Sequence, residues 1–270
     1  MKKTISSLLT AAIAITSFAS GKQNDDNPAT KTQTYVLVHG AWQAPYVWDA
    51  VKTELTNRGK KVIVVELPGH GTDNTATYSL SIDAYRDKVI EAISAVDEKV
   101  ILVGHSMGGM VISAVAEKIP SRISKLVYIG AFLPANGQAL VDLAFSDPGS
   151  KLGPLLIESA DKLVLDVKAD SLTYLFINDG SADVKQQAVD RYRAEPAIPF
   201  TNKAVLTNEN FGSVDKVYIK TLQDIVISPG LQDRMIAAAG IKNVFTINTG
   251  HSPFLSQPKE VAKLLLAVGQ

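Results

Sequence analysis

The residues able to do chemistry gather around one serine. Ser106 lies in Gly104-His105-Ser106-Met107-Gly108, directly after the apolar run "VILV" and before a stretch of helical period. A serine in so sharp a strand-to-helix turn takes strained backbone angles. Flanking glycines, having no Cβ, leave room for the strand and helix to close on each other. Its hydroxyl then projects above the strand ends, and the helix N-terminus beneath favours developing negative charge. The pattern predicts a nucleophile.

A hydroxyl is a weak nucleophile until a base takes its proton. Four histidines are available. His39 and His70 fall in the turns "VHGAW" and "PGHGTD", and His105 adjoins the serine but is expected to point away from it by strand alternation. His251 follows the last apolar run, in "INTGHSP" at the same edge as Ser106, and is the predicted base. The acid that orients it should follow an earlier strand end. Asp224, in "KVYIKTLQD", does so and stands 27 residues before His251. Asp215 precedes that strand, and Asp233 lies in a helix-like stretch after Pro229 that suits an ordinary solvated role. The negative charge formed on attack needs two backbone donors fixed in advance. Met107, after the nucleophile, would supply one, and Ala41 the other, from the loop "HGAW" in which Gly40 permits an unusual turn.

These residues need a sheet whose strands all end at one edge. The runs 34–40, 61–71, 99–106, 125–132, 215–221 and 242–252 are β-branched, apolar and closed by turn residues. Helix-period stretches separate them at about 46–57, 79–96, 107–118 and 257–268. Continuous apolar strands alternating with helices predict an α/β fold with a mostly parallel sheet buried on both faces. Between about 133 and 213 the alternation stops and no strong strand appears, which predicts a small helical cap over the carboxyl ends of the strands. Leu133, Phe145, Leu172, Leu175 and Phe176 are its candidate substrate-lining residues, and could equally be packing within it.

Composition narrows the ligand class. The 27 Lys+Arg balance the 27 Asp+Glu, so the 270-residue chain has no formal net charge and nothing suggests nucleic acid or a membrane surface as partner. A small uncharged molecule is the expected ligand, with no metal or organic cofactor. The first twenty residues carry Lys2 and Lys3, a short apolar run and small residues at Ser17 and Ala19, which predicts a signal peptide over 1–19 and a polar tail over 20–33. Export to the periplasm or medium follows, with no stable membrane span after cleavage. Gly21 stands where a lipoprotein signal would place its cysteine, and the chain has no cysteine, so neither a thioether lipid anchor nor a disulfide is available.

Together, "YVLVHGAWQAPYVW", "VVELPGHG", "GHSMGG", "LVYIGAFLP", "LFINDGSADVKQQAVDRYRAEP", "KVYIKTLQD" and "GHSPFLSQPKEVAKLL" resemble the α/β-hydrolase superfamily, from about residue 35 to 266. More narrowly they are similar to the branch of plant hydroxynitrile lyases, small-ester methylesterases and secreted bacterial carboxylesterases. The resemblance implies the triad Ser106, Asp224 and His251, the oxyanion donors Ala41 and Met107, and acyl-enzyme chemistry. It departs from the lyases at two points. They carry a lysine after the catalytic histidine and a threonine on the first loop, where this chain has Ser252 and Gly40. Hydrolysis of small to medium uncharged esters is therefore the leading expectation. The alternatives are cyanohydrin cleavage, amide or lactone hydrolysis on the same triad, and a binding protein that has lost turnover.

Overall fold

The computed structural model describes residues 32–270. The predicted leader, Gly21 and most of the polar tail lie outside the described residues. Six parallel strands form the central sheet: β1 (Thr34–Val38), β2 (Lys61–Val65), β3 (Val100–His105), β4 (Ile123–Ile129), β8 (Lys216–Thr221) and β9 (Asn243–Ile247), in the order β2-β1-β3-β4-β8-β9. All but β8 stop before their predicted runs do, because those runs carry the turn residues that follow the strand, whereas β8 ends with its run at Thr221.

The apolar runs read as continuous because both faces of the sheet are covered. In β1, Val36 and Val38 face one cluster while Tyr35 and Leu37 face the other. The first cluster contains Tyr85 and Val89 of α2 (Ile82–Ala92), most of α3 (Gly108–Lys118), and Leu231 and Met235 of α8 (Pro229–Ala238). The second contains Val51 and Leu55 of α1 (Asp49–Asn57) and Val261 and Leu265 of α10 (Pro258–Val268). Short polar side chains start two of these helices, α2 and α8. The hydroxyls of Ser81 and Ser228 accept from the Ala84 and Leu231 amides, and Pro229 fills the first helical position of α8.

The segment between β4 and β8 is not purely helical. It contains α4 (Leu140–Phe145), α5 (Leu172–Phe176), α6 (Ala182–Asp190) and α7 (Ile198–Thr201). With them is an antiparallel sheet of β5 (Leu156–Glu158), β6 (Val164–Val167) and β7 (Glu195–Pro196). Strands of three, four and two residues are too short to show alternation, so they carry no periodic signal. The expectation of a helical cap is corrected to a mixed one.

Topology selects the site. From β1 the chain moves to β2 on one side, then returns to β3 on the other. The carboxyl ends of β1 and β3 therefore flank the point where strand order reverses, the place where an open parallel sheet leaves a crevice. Val38 and Gly104 are register partners there, so the loops beginning at His39 and Ser106 start at one level.

Candidate active site

Ser106 occupies the turn between β3 and α3 with φ 51°, a left-handed conformation that a side chain with a Cβ adopts only under strain, and is 5 % exposed. Close packing holds it there. A Cβ on Gly104 would lie 2.6 Å from the Gly108 carbonyl oxygen, and one on Gly108 2.9 Å from the Val38 and His39 carbonyl oxygens, so α3 closes on β3 and on the end of β1 where these atoms are missing. Among the described residues the Ser106 hydroxyl has no hydrogen-bond partner.

Asp224 and His251 meet as the sequence predicts. β8 and β9 are neighbours with Thr221 opposite Ile247, so the loops after them run side by side. His251 Nδ1 donates to Asp224 Oδ2 at 2.8 Å, and both side chains are buried. Thr221 Oγ1 donates to the same oxygen at 2.9 Å, while the Val226 and Ile227 amides donate to Oδ1 at 2.8 and 3.0 Å. Four donors fix the carboxylate, and the bond from Nδ1 leaves Nε2 as the ring nitrogen with a free lone pair. β4 separates β3 from β8, and it is followed at once by Gly130 with φ 46°, where a Cβ would stand 3.2 Å from Asp224 Oδ2 and 2.7 Å from Thr221 Oγ1. The missing side chain gives the carboxylate its place. Asp233 of α8, its carboxylate exposed, pairs with Lys220 of β8, and Asp215 precedes β8, as expected for both.

Ala41 and Met107 line the same cavity as Ser106. Among the described residues neither amide has a hydrogen-bond acceptor, whereas the next amide in the first loop, Trp42, donates to Glu195 Oε2 at 2.7 Å. Two open N–H groups beside an unpaired hydroxyl suit a developing oxyanion. The cavity holds about 550 Å³ and is walled mainly by apolar residues, Phe132 and Val226 from the sheet side and Leu140, Leu152, Leu165 and Phe200 from the cap. Of the predicted lining residues only Phe145 borders it, at the rim and 90 % exposed. Leu133, Leu172, Leu175 and Phe176 do not line it but are buried in the core, with the Phe176 ring 5.3 Å from Trp42 and 6.0 Å from His251. Long apolar side chains at helical spacing report burial, and burial here is against the fold.

The remaining histidines are structural, and one does more than the sequence suggests. His39 donates from Nδ1 to the Gly40 carbonyl and accepts at Nε2 from the Leu67 amide, which fixes it neutral. Burial, reinforced by nearby His70, pushes its pKa down to about 3. His105 does not simply point away from the site. Its Nε2 donates to the His251 carbonyl at 2.8 Å and its ring lies 4.6 Å from that of His251, so it ties the loop of His251 to the strand that leads to Ser106. Alternation gives the direction of a side chain and says nothing of which loop meets it. Burial, with His251 next, holds His105 well below the usual imidazole range.

Two imidazoles kept neutral in the fold make it acid-labile. Below about pH 6.5 the unfolded chain protonates both His39 and His105 while the folded chain does not, so stability drops by about 1.4 kcal/mol per pH unit for each. Between pH 6.5 and 5, before most carboxylates titrate, the expected loss is about 3 kcal/mol, or roughly a 10 °C fall in Tm. Thermal melts across that range check it. His105→Gln should remove about half the slope.

The chain is similar to known proteins. Residues 35–264 match the Alpha/beta hydrolase family. Putative methylesterase 14, chloroplastic, of Arabidopsis thaliana is 30% identical over 267 residues, covering 94% of this chain and 77% of that protein. Polyneuridine aldehyde esterase superposes with a TM-score of 0.77 at 23% identity, over 89% of this chain and 100% of the other, a likeness of fold. An extracellular alpha/beta-hydrolase from a Paenibacillus species, described as sharing structural and functional homology with tobacco salicylic acid binding protein 2, has a TM-score of 0.74. It is 25% identical and covers 87% of this chain and 98% of its own.

Proposed function

The chain belongs to the alpha/beta hydrolase family, in its methylesterase-like branch, and on that premise we propose that it is a serine carboxylesterase acting through an acyl-enzyme. One observation carries the reading. A strained serine, unpaired among the described residues, stands in an apolar cavity beside two backbone amides that no described residue engages, with a carboxylate-fixed imidazole on the adjoining loop.

Ser106 Oγ attacks the ester carbonyl carbon as His251 Nε2 takes its proton, and the carbonyl oxygen becomes an oxyanion between the Ala41 and Met107 amides. Collapse expels the alcohol, which leaves with the proton from His251. Water, deprotonated by the same nitrogen, then attacks the acyl-Ser106 carbonyl. The second collapse releases the carboxylic acid and returns the proton to the serine. Asp224 keeps His251 in the tautomer this shuttle needs. No step calls for a metal or organic cofactor. A cavity of about 550 Å³ with an apolar lining suits a small to medium uncharged ester.

The same residues could serve amide or lactone cleavage, and cyanohydrin cleavage is disfavoured by two positions. Where the lyases carry lysine, Ser252 is buried and accepts from Gln43 Nε2 at 2.8 Å. At Gly40 any Cβ would stand 2.7 Å from the Ser106 Cβ, which leaves no room for the lyases' threonine without a shift of the loop. The leader predicted over 1–19 places this esterase outside the cytoplasm. Among the described residues no helix is long and apolar enough to cross a membrane. The test is a fluorophosphonate, which should add one phosphonyl mass to the peptide holding Ser106 and abolish p-nitrophenyl ester hydrolysis in proportion. Modification elsewhere, or cyanide release outpacing ester cleavage, overturns the proposal.

A further inference from the structure

The chemistry just proposed does not use the buried pair Glu195 and His70, and the pair has no place in a purely apolar cap. Glu195 is fully buried on β7, and His70 is 3 % exposed in the turn after β2. Their contacts leave little freedom. Glu195 Oε2 lies 2.9 Å from His70 Nε2 and 2.7 Å from the Trp42 amide, while His70 Nδ1 lies 3.0 Å from the Pro68 carbonyl. A carbonyl only accepts, so Nδ1 carries a proton. A carboxylate facing Nε2 then requires a second proton between them. The pair is therefore neutral overall, either as imidazolium and carboxylate or as imidazole and acid. Burial opposes charge on His70, but the adjacent Glu195 outweighs it and raises the pKa.

What this pair holds is the backbone of the first loop. Trp42 has φ 57°, a conformation costly for a bulky residue, and it follows Ala41 directly. Two bonds from the cap keep it there. Its amide donates to Glu195, and its indole Nε1 donates to the Leu165 carbonyl at 3.0 Å. Leu165 and Glu195 are register partners in β6 and β7, so a single rung of the cap sheet grips both ends of one residue. The peptide unit before Ala41 and the one after it share that residue's Cα. With Gly40 packed against His105 and Ser106 on one side, fixing the Trp42 amide on the other restrains φ and ψ of Ala41 and so the direction of its N–H.

We infer that Glu195, braced by His70, is a positioning residue that sets the oxyanion hole from the cap by locking the Trp42 amide. The inference rests on Ser106 as nucleophile and Ala41 as an oxyanion donor. It makes the cap part of transition-state stabilisation as well as a wall of the cavity. A donor held by a group outside the cavity changes the rate without changing ground-state binding, because the substrate never touches that group.

The experiment compares wild type with Glu195→Ala, Glu195→Gln and Ser106→Ala, using p-nitrophenyl butyrate for turnover and butylboronic acid as the tetrahedral mimic. Active sites are counted by fluorophosphonate titration, so unfolded protein does not enter the rate. Glu195→Ala should lower kcat per titrated site by about 30- to 100-fold, weaken the boronic acid by a similar factor and leave KM within about threefold. Glu195→Gln should recover kcat to within about threefold of wild type, since its amide oxygen in the place of Oε2 can still accept from the Trp42 amide and from a protonated His70 Nε2, with the NH₂ in the place of Oε1. If alanine leaves too little folded protein to titrate, Glu195→Leu fills the volume with no acceptor and carries the same expectation. Wild-type kcat and boronic acid affinity in titrated Glu195→Ala or Glu195→Leu would overturn the role, as would failure of Glu195→Gln to recover kcat. Turnover by Ser106→Ala would instead sink the nucleophile assignment and this inference with it.

Discussion

Ser106→Ala should lose about 10⁴- to 10⁶-fold in kcat/KM for p-nitrophenyl esters while melting within a few degrees of wild type. The two halves of that expectation come from different atoms. The hydroxyl oxygen makes no hydrogen bond to another described residue, so its removal leaves no donor or acceptor stranded. The positive φ belongs to the backbone and is imposed by the close approach of α3 to β3 at Gly104 and to the end of β1 at Gly108, so the fold persists with alanine. Ser106→Gly separates the terms further. It should be equally inactive yet gain about 1 kcal/mol of stability, because glycine occupies φ 51° without the Cβ clash. Activity assays beside thermal melts on the three proteins decide both points. Near wild-type turnover by either variant would remove Ser106 from the chemistry.

Much of this arrangement was legible because a parallel sheet buried on both faces writes itself as apolar runs, and because turns that end its strands carry distinctive residues. The Ser106 turn, Asp224 and His251 each sit just beyond such a run, so their convergence at one edge followed from strand direction. The cap resisted reading for the opposite reason. Glu158 and Leu165 are rungs of a sheet whose strands are too short for periodicity, and the β7 pair of Glu195 and Pro196 looks like a turn. Lining residues failed more instructively. Leu172, Leu175 and Phe176 are candidates through apolarity alone, yet they are buried in the core, with Phe176 packed against Trp42, while Leu140, Leu152 and Phe200 supply the wall. Which side of a cap element meets the cavity depends on how that element docks, and no local pattern encodes it. The same holds for His105 and Glu195, whose partners are 146 and 153 residues away in the chain.

The second large effect is expected at a residue that never touches substrate. Asp224→Asn should lower kcat by about 10⁴-fold at neutral pH with little change in KM. The amide is nearly isosteric, and its oxygen can still accept from the Val226 and Ile227 amides, which now reach Oδ1 at 2.8 and 3.0 Å. That places the new NH₂ where Oδ2 stands, 2.8 Å from His251 Nδ1 and 2.9 Å from Thr221 Oγ1. Thr221 can accept as well as donate, so it adapts by rotating its hydroxyl. His251 cannot adapt without cost. Facing a donor, Nδ1 must present its lone pair, the proton moves to Nε2, and the nitrogen that should take the Ser106 proton already holds one. The defect is therefore one of tautomer rather than of folding, and it separates from a structural lesion by two readouts. Nitrogen chemical shifts of His251 should report the exchange of the protonated nitrogen, and the boronic acid should bind far more weakly while KM holds. A variant that keeps the wild-type tautomer and the wild-type rate would show that the carboxylate merely closes the loop after β8.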